Sequence, residues 1–140
     1  MNSNRVLVAS PDIQSRRTLV DILNREGLST IGVSRVRDCQ DVLTIQAVQL
    51  IFCESRLSDG DYRDVLALAQ SAKQRVRVVV TSRLADWHEY GEAMREGAFD
   101  LILSPCRPPD VVKVLTLIRR EEFVEALASA PPSAARTAAA

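Results

Sequence analysis

Histidine is almost missing from this chain of 140 residues: His88 stands alone. Cysteine is scarce too, with Cys39, Cys53 and Cys106 at no metal-ligand spacing and in odd number. A thiolate–imidazole metal centre therefore has no ligand set, and a disulfide framework has no even count to build on. The thiols are expected to be reduced, as in a cytoplasmic protein. No apolar run approaches the roughly 20 residues that span a bilayer, and the short run after Arg5 is no secretory leader. An excess of either charge is lacking as well, since 18 basic residues balance 18 acidic ones. Sixteen of the basic residues are arginines scattered along the chain, which reads as solvated helix faces and argues for neither nucleic acid nor an anionic membrane. Glycine is sparse, and no Gly-rich loop follows the first apolar run, which counts against a bound nucleotide.

What is present is organised around Val48–Asp61. Leu50 to Cys53 is a short apolar run of the kind buried on both faces of a sheet, and it ends on a carboxylate, Glu54. Turn formers follow through Gly60, and then Tyr62, Val65, Leu66 and Ala69 fall on one helical face. An acidic side chain thus closes a central strand, at the edge where an open α/β sheet gathers its ligands.

The same alternation recurs along the chain. Val6–Ala9 reads as a first strand. Ser10-Pro11-Asp12 then opens a helix, with Ser10 as N-cap, Pro11 in the first position and Asp12 in the first turn. That helix should carry Ile13, Val20 and Leu23 inward and stop at Gly27. Leu28–Val33 is a weaker second strand. Ser34 or Arg35 opens a helix with Val36, Cys39 and Leu43 on one face. Val76–Thr81 is a β-branched strand, and Trp87, Tyr90, Gly91 and Met94 form a helical stripe that reads as core packing. Phe99–Leu103 is a last strand. Asp110 caps a fifth helix with Val111, Val114, Leu115 and Ile118 on one face, a pattern that weakens beyond Arg120. Five strand–helix units with short connections predict an α/β fold: a parallel sheet covered by helices on both faces. Residues 1–128 should form one domain, and residues 129–140, rich in Ala and Pro, should be a disordered tail.

Residues 5–120 resemble the receiver domain of bacterial two-component response regulators. In that family an apolar strand ends on the phosphate-accepting Asp, and Leu-Pro-x-x-Asp-Gly follows two residues later. Here the register gives Glu54, then Leu57-Ser58-Asp59-Gly60 with no gap. Gly97-Ala98 and Ser104-Pro105 match the family's Gly-Ala and Lys-Pro, and Thr81 matches its hydroxyl residue at the end of the fourth strand, with Ser82 after it. The resemblance implies a three-layer, doubly wound, five-stranded parallel sheet of order 2-1-3-4-5, the flavodoxin-like receiver fold.

It also implies a pocket whose chemistry has been altered. The family's two magnesium-binding acids fall on Ser10 and Pro11, with Asp12 one residue too far along. Its phosphate-pairing Lys falls on Ser104 and its switch aromatic on Leu101. Nucleophile, metal ligands and lysine are all changed, so acyl-phosphate chemistry and a magnesium site are expected to be lost, and no enzymatic activity is expected. Glu54 reads either as an inert relic or as a mimic of a phosphorylated Asp, accepting a hydrogen bond from Thr81 and pairing with Arg56, Arg83 or Arg107. The implied function is a pseudo-receiver in phosphorelay signalling that acts by binding protein, a sensor kinase or a downstream effector. Other readings are an active receiver with an unusual acceptor site, and a redox or small-ligand module of flavodoxin-like shape.

The resemblance also implies a homodimer or docking surface on the fourth helix, fifth strand and fifth helix. The fifth helix supplies an independent sign, since Val112, Leu117, Phe123, Val124 and Leu127 exceed what one buried stripe can cover.

Overall fold

The computed structural model describes residues 5–129. Five parallel strands form one sheet: β1 (Arg5–Ala9), β2 (Ser29–Val33), β3 (Leu50–Glu54), β6 (Arg77–Ser82) and β7 (Asp100–Leu103), in the order β2-β1-β3-β6-β7. That is the predicted order. Between β3 and the next helix lies a short antiparallel hairpin, β4 (Arg56–Leu57) and β5 (Gly60–Asp61), where the sequence shows only turn formers.

The central strands are apolar because both faces are covered. All residues of β3 and β6 are buried. Leu7, Ala9, Ile51, Cys53, Val78 and Val80 point to one face, and there they join Cys39 of α2 (Val36–Ile45), Val65 of α3 (Tyr62–Ser71) and Ala93 of α4 (Trp87–Arg95) in one apolar cluster. The alternate residues Val6, Val8, Leu50, Phe52 and Val79 are equally buried. Complete burial of a side chain such as Phe52 or Ile51 stabilises the fold by about 1.5–3 kcal/mol.

The helices keep most of their predicted faces. α1 (Ile13–Arg25) buries Leu19, Ile22 and Leu23, and α3 buries Tyr62, Val65, Leu66 and Ala69 as expected. Gly27, with φ of +84°, ends α1 in the left-handed region that glycine tolerates best. Two expectations fail at the start of α1. The N-cap is Asp12 rather than Ser10, and Ile13 is 57% exposed. Asp12 wins because its carboxylate reaches the Ser15 amide at 2.8 Å, while the Ser10 hydroxyl accepts from the Asp12 amide ahead of the helix and donates to Glu54.

A third expectation fails on α4. Of the stripe only Tyr90 packs against the core cluster: Trp87 is 86% exposed and stands edge-on to Tyr90, Met94 is exposed too, and the fully buried residue of this helix is Ala93. Aromatic spacing on a short helix shows which residues share a face, not whether that face is covered.

Two compact units divide at Pro108 and Pro109. The second holds nearly all of α5 (Pro108–Ser129), which starts two residues before the expected cap Asp110 and continues past Arg120. Val111, Val114, Leu115 and Ile118 are buried along it, whereas Val112, Leu117, Phe123 and Val124 are exposed. The expected tail lies outside the described residues apart from Ser129, the last residue of α5. Among the described residues, no helix is long and apolar enough to cross a membrane.

Candidate functional site

The parallel registers place the carboxyl ends of the strands together. Ala9 pairs with Cys53, Glu54 with Thr81, and Ser82 with Leu103. Ser10 follows β1 and Ser104 follows β7, so both extend to the edge where Glu54 closes β3.

Glu54 is buried at 7% exposure, and a carboxylate so placed needs hydrogen-bond donors or a counter-charge. It has donors. Ser10 Oγ donates to Glu54 Oε1 at 3.1 Å, and Ser104 Oγ donates to the same oxygen at 3.3 Å. Both serines are themselves buried. Ser10 is fixed by its amide, which donates to the Val33 carbonyl at 3.0 Å, and its hydroxyl accepts from the Asp12 amide at 3.2 Å. The Ser104 amide donates to the Ser82 carbonyl at 2.9 Å. Two rigid strand ends thus aim two hydroxyls at one carboxylate oxygen.

This corrects the expected partners of Glu54. Thr81 is buried beside it in register, but the hydroxyls that reach its carboxylate are those of Ser10 and Ser104. Among the described residues no salt bridge reaches Glu54. Arg83 turns instead to Asp12 at 3.4 Å and to the Ser15 hydroxyl at 3.3 Å. Arg16 donates to the Ser10 carbonyl at 2.6 Å.

Glu54 borders a cavity of about 430 Å³ together with Pro11, Asp12, Ser82 and Arg83. The sequence-predicted residues Pro11, Asp12, Glu54 and Ser82 therefore meet there, and Ser10 and Ser104 join them through hydrogen bonds. Pro105 is exposed, and Leu101 is buried within β7.

The resemblance to receiver domains implies a magnesium ion at this edge, and the donor set here does not fit one. Pro11 offers no side-chain oxygen. Asp12 is committed to the Ser15 amide and to Arg83, and the Ser15 hydrogen bonds are the chief reason its carboxyl is held below the usual range. One oxygen of Glu54 already accepts two hydroxyls, and the guanidinium groups of Arg56 and Arg83 line the same cavity. Magnesium wants near-octahedral oxygen ligation with a carboxylate or two free to bind. Among the described residues no group of three His, Cys, Asp or Glu side chains is arranged to hold a metal.

Two residues at this edge escaped sequence reasoning. Glu89 accepts from the buried Ser82 hydroxyl and from the Ala85 amide at 3.2 Å, closing the β6–α4 loop on itself. Asp86-x-x-Glu89 has the spacing of a capping box, which would have marked Glu89, although it caps the loop rather than Asp86. Asp59, in the tip of the hairpin, accepts from the amides of Val36 and Arg37 at 2.6 and 3.1 Å, capping α2 from 23 residues away. These amides hold its carboxyl below the usual range, the Val36 bond most of all.

Two of the three thiols are poor nucleophiles. Burial pushes Cys39 up to about 12 and raises Cys53 well above the usual thiol range. His88 is exposed on α4.

No family model matches the chain. The alginate biosynthesis transcriptional regulatory protein AlgB of Pseudomonas aeruginosa is 29% identical over 104 residues, which is 74% of this chain and 23% of that protein. The chain spans about a quarter of the length of the curated relatives it matches. A signal receiver domain of Vibrio parahaemolyticus superposes with a TM-score of 0.80 at 18% identity, over 93% of this chain and all of that one. The fold is that of a response-regulator receiver domain. A CheY-like receiver domain of Methanospirillum hungatei gives the same answer, with a TM-score of 0.78 at 17% identity over 89% of this chain and 99% of that one.

Proposed function

We propose that the chain is a pseudo-receiver: a two-component signalling module that takes no phosphate and works by binding another protein in the cytoplasm. The observation that carries this reading is the shared acceptor, Glu54 Oε1, with Ser10 and Ser104 as its donors. In the receiver family the same three positions supply the metal acid, the acceptor and the lysine. Here they satisfy one another as neutral hydroxyls around a single carboxylate.

Phosphoryl transfer rests on positioning and charge neutralisation, so a nucleophile without metal or lysine is not activated. A Glu carboxylate offers at most one negative charge against nearly two for a phosphate, and among the described residues no salt bridge reaches Glu54. It ties the carboxyl ends of β1, β3 and β7 in a single arrangement. The module would thus present one surface to its partner whatever the phosphate supply. A sensor kinase and a downstream effector are the partner classes that the receiver fold suggests.

Magnesium with beryllofluoride, which together mimic a phosphorylated carboxylate, supplies the test. Amide NMR spectra of the chain are expected to be the same with and without them. Saturable shifts clustered at Glu54, Thr81 and Ser104 would overturn the reading in favour of an active receiver with an unusual acceptor.

A further inference from the structure

A second groove, of about 680 Å³, lies between the β4–β5 hairpin and the amino-terminal turns of α3 and α4. It adjoins the Glu54 cavity, sharing Ser55, Arg56, Leu84 and Glu89 with it, but Glu54 itself does not line it. Asp61, Asp64, Asp86, Glu89 and Glu92 line it, against Arg56 and Arg63. Five carboxylates against two guanidinium groups leave three net negative charges. The two helix N-termini offset about half a charge each, so about two remain.

The groove already accommodates a guanidinium. Arg63 lies 4.8 Å over the Tyr62 ring and 3.4 Å from Glu92, and its side chain remains 46% exposed. Its contacts to Asp61 at 3.5 Å and Glu96 at 3.8 Å are equally loose. Tyr62, also in the lining, is only 4% exposed and holds its ring under Arg63.

Apolar anchors stand at the rim. Leu84 lines the groove and is 75% exposed. Trp87, between the lining residues Asp86 and His88, is 86% exposed. Tryptophan is among the residues that most often dominate binding energy at protein interfaces.

We infer that this groove docks a basic segment of a partner protein, its arginine or lysine among the carboxylates and an apolar side chain against Leu84 and Trp87. This rests on the reading that the module works through protein binding, and it names where and by what chemistry. An acidic segment would face the net negative charge.

Trp87 is the only tryptophan of the chain and reports directly on the rim. Random peptides displayed against the immobilised chain are expected to enrich sequences that pair Arg or Lys with a large apolar residue. A synthetic peptide of the enriched sequence should shift Trp87 emission to the blue. Leu84→Ser and Glu92→Gln should each weaken it about tenfold. Asp21→Asn, on exposed α1 surface, should leave it unchanged.

No enrichment, enrichment of acidic sequences, or affinity indifferent to Leu84→Ser and Glu92→Gln would overturn the inference. So would Trp87 emission that moves with protein concentration alone, since the occupant would then be a second copy. A phosphoryl group found on Glu54 would sink the pseudo-receiver reading and leave the groove standing. Failed peptide binding with no such group would sink the groove alone.

Discussion

Ser104 Oγ lies 3.3 Å from Glu54 Oε1, so the residue in place of the receiver lysine donates to the residue in place of the receiver aspartate. Ser10, in place of a metal acid, completes the set at 3.1 Å. The three changes are mutually consistent in space, although 44 and 50 residues separate Glu54 from its two donors. Removing one donor leaves the buried carboxylate with the other. Removing both leaves it with no hydroxyl.

Ser10→Ala and Ser104→Ala are therefore each expected to destabilise the fold by about 1–3 kcal/mol in urea unfolding, and the double variant by more than the sum. Simple additivity would show that the two hydroxyls act independently of a common acceptor.

Asp59→Ala should loosen α2 locally. Hydrogen exchange at the Val36 and Arg37 amides is expected to accelerate while β3 and β6 keep their protection. Uniform acceleration across the sheet would contradict a capping role. The same bonds set a pH dependence. The folded carboxyl of Asp59 titrates below its ordinary 3.8, so its contribution is fully present above that value and is lost as pH falls through the folded value. Unfolding measured at stepped pH should show Asp59→Asn with a shallower acid decline than the parent chain.

Cys39 and Cys53 should resist alkylation in the folded chain at pH 8 and react once it is unfolded in urea. The Cys39 thiol, held near 12 by burial, is almost entirely protonated at that pH, and Cys53 is buried with it. Rapid native labelling of either thiol would revive a redox reading.

Leu117→Glu with Val124→Glu should change the melting temperature by less than about 4 °C, because both side chains are exposed on α5. If this face meets a partner or a second copy, sedimentation should show weaker association. Unfolding of a chain that never associated would contradict the exposure of these residues.

Much of the fold was legible because it is written in local periodicity. The apolar run ending on Glu54, the face of Tyr62, Val65, Leu66 and Ala69, and the stop at Gly27 all stand as read. The strand order and the positions of the pocket residues came from the resemblance, not from periodicity. What could not be read depends on side chains meeting across the chain. Ser10 reads as a cap because serine caps helices well, and its hydroxyl does accept from the Asp12 amide, but only the approach of Glu54 shows where that hydroxyl donates. The capping of α2 by Asp59 needs the hairpin to fold first. Trp87 was read inward because spacing carries no sign of which helix face is covered.

The central claim is that Glu54 accepts no phosphate. Intact-mass measurement after incubation with acetyl phosphate and magnesium tests it most directly, with a competent receiver domain treated in parallel. The account predicts that the competent domain gains a phosphoryl group and this chain keeps its mass. A gain of about 80 daltons on this chain, abolished by Glu54→Gln, would contradict it.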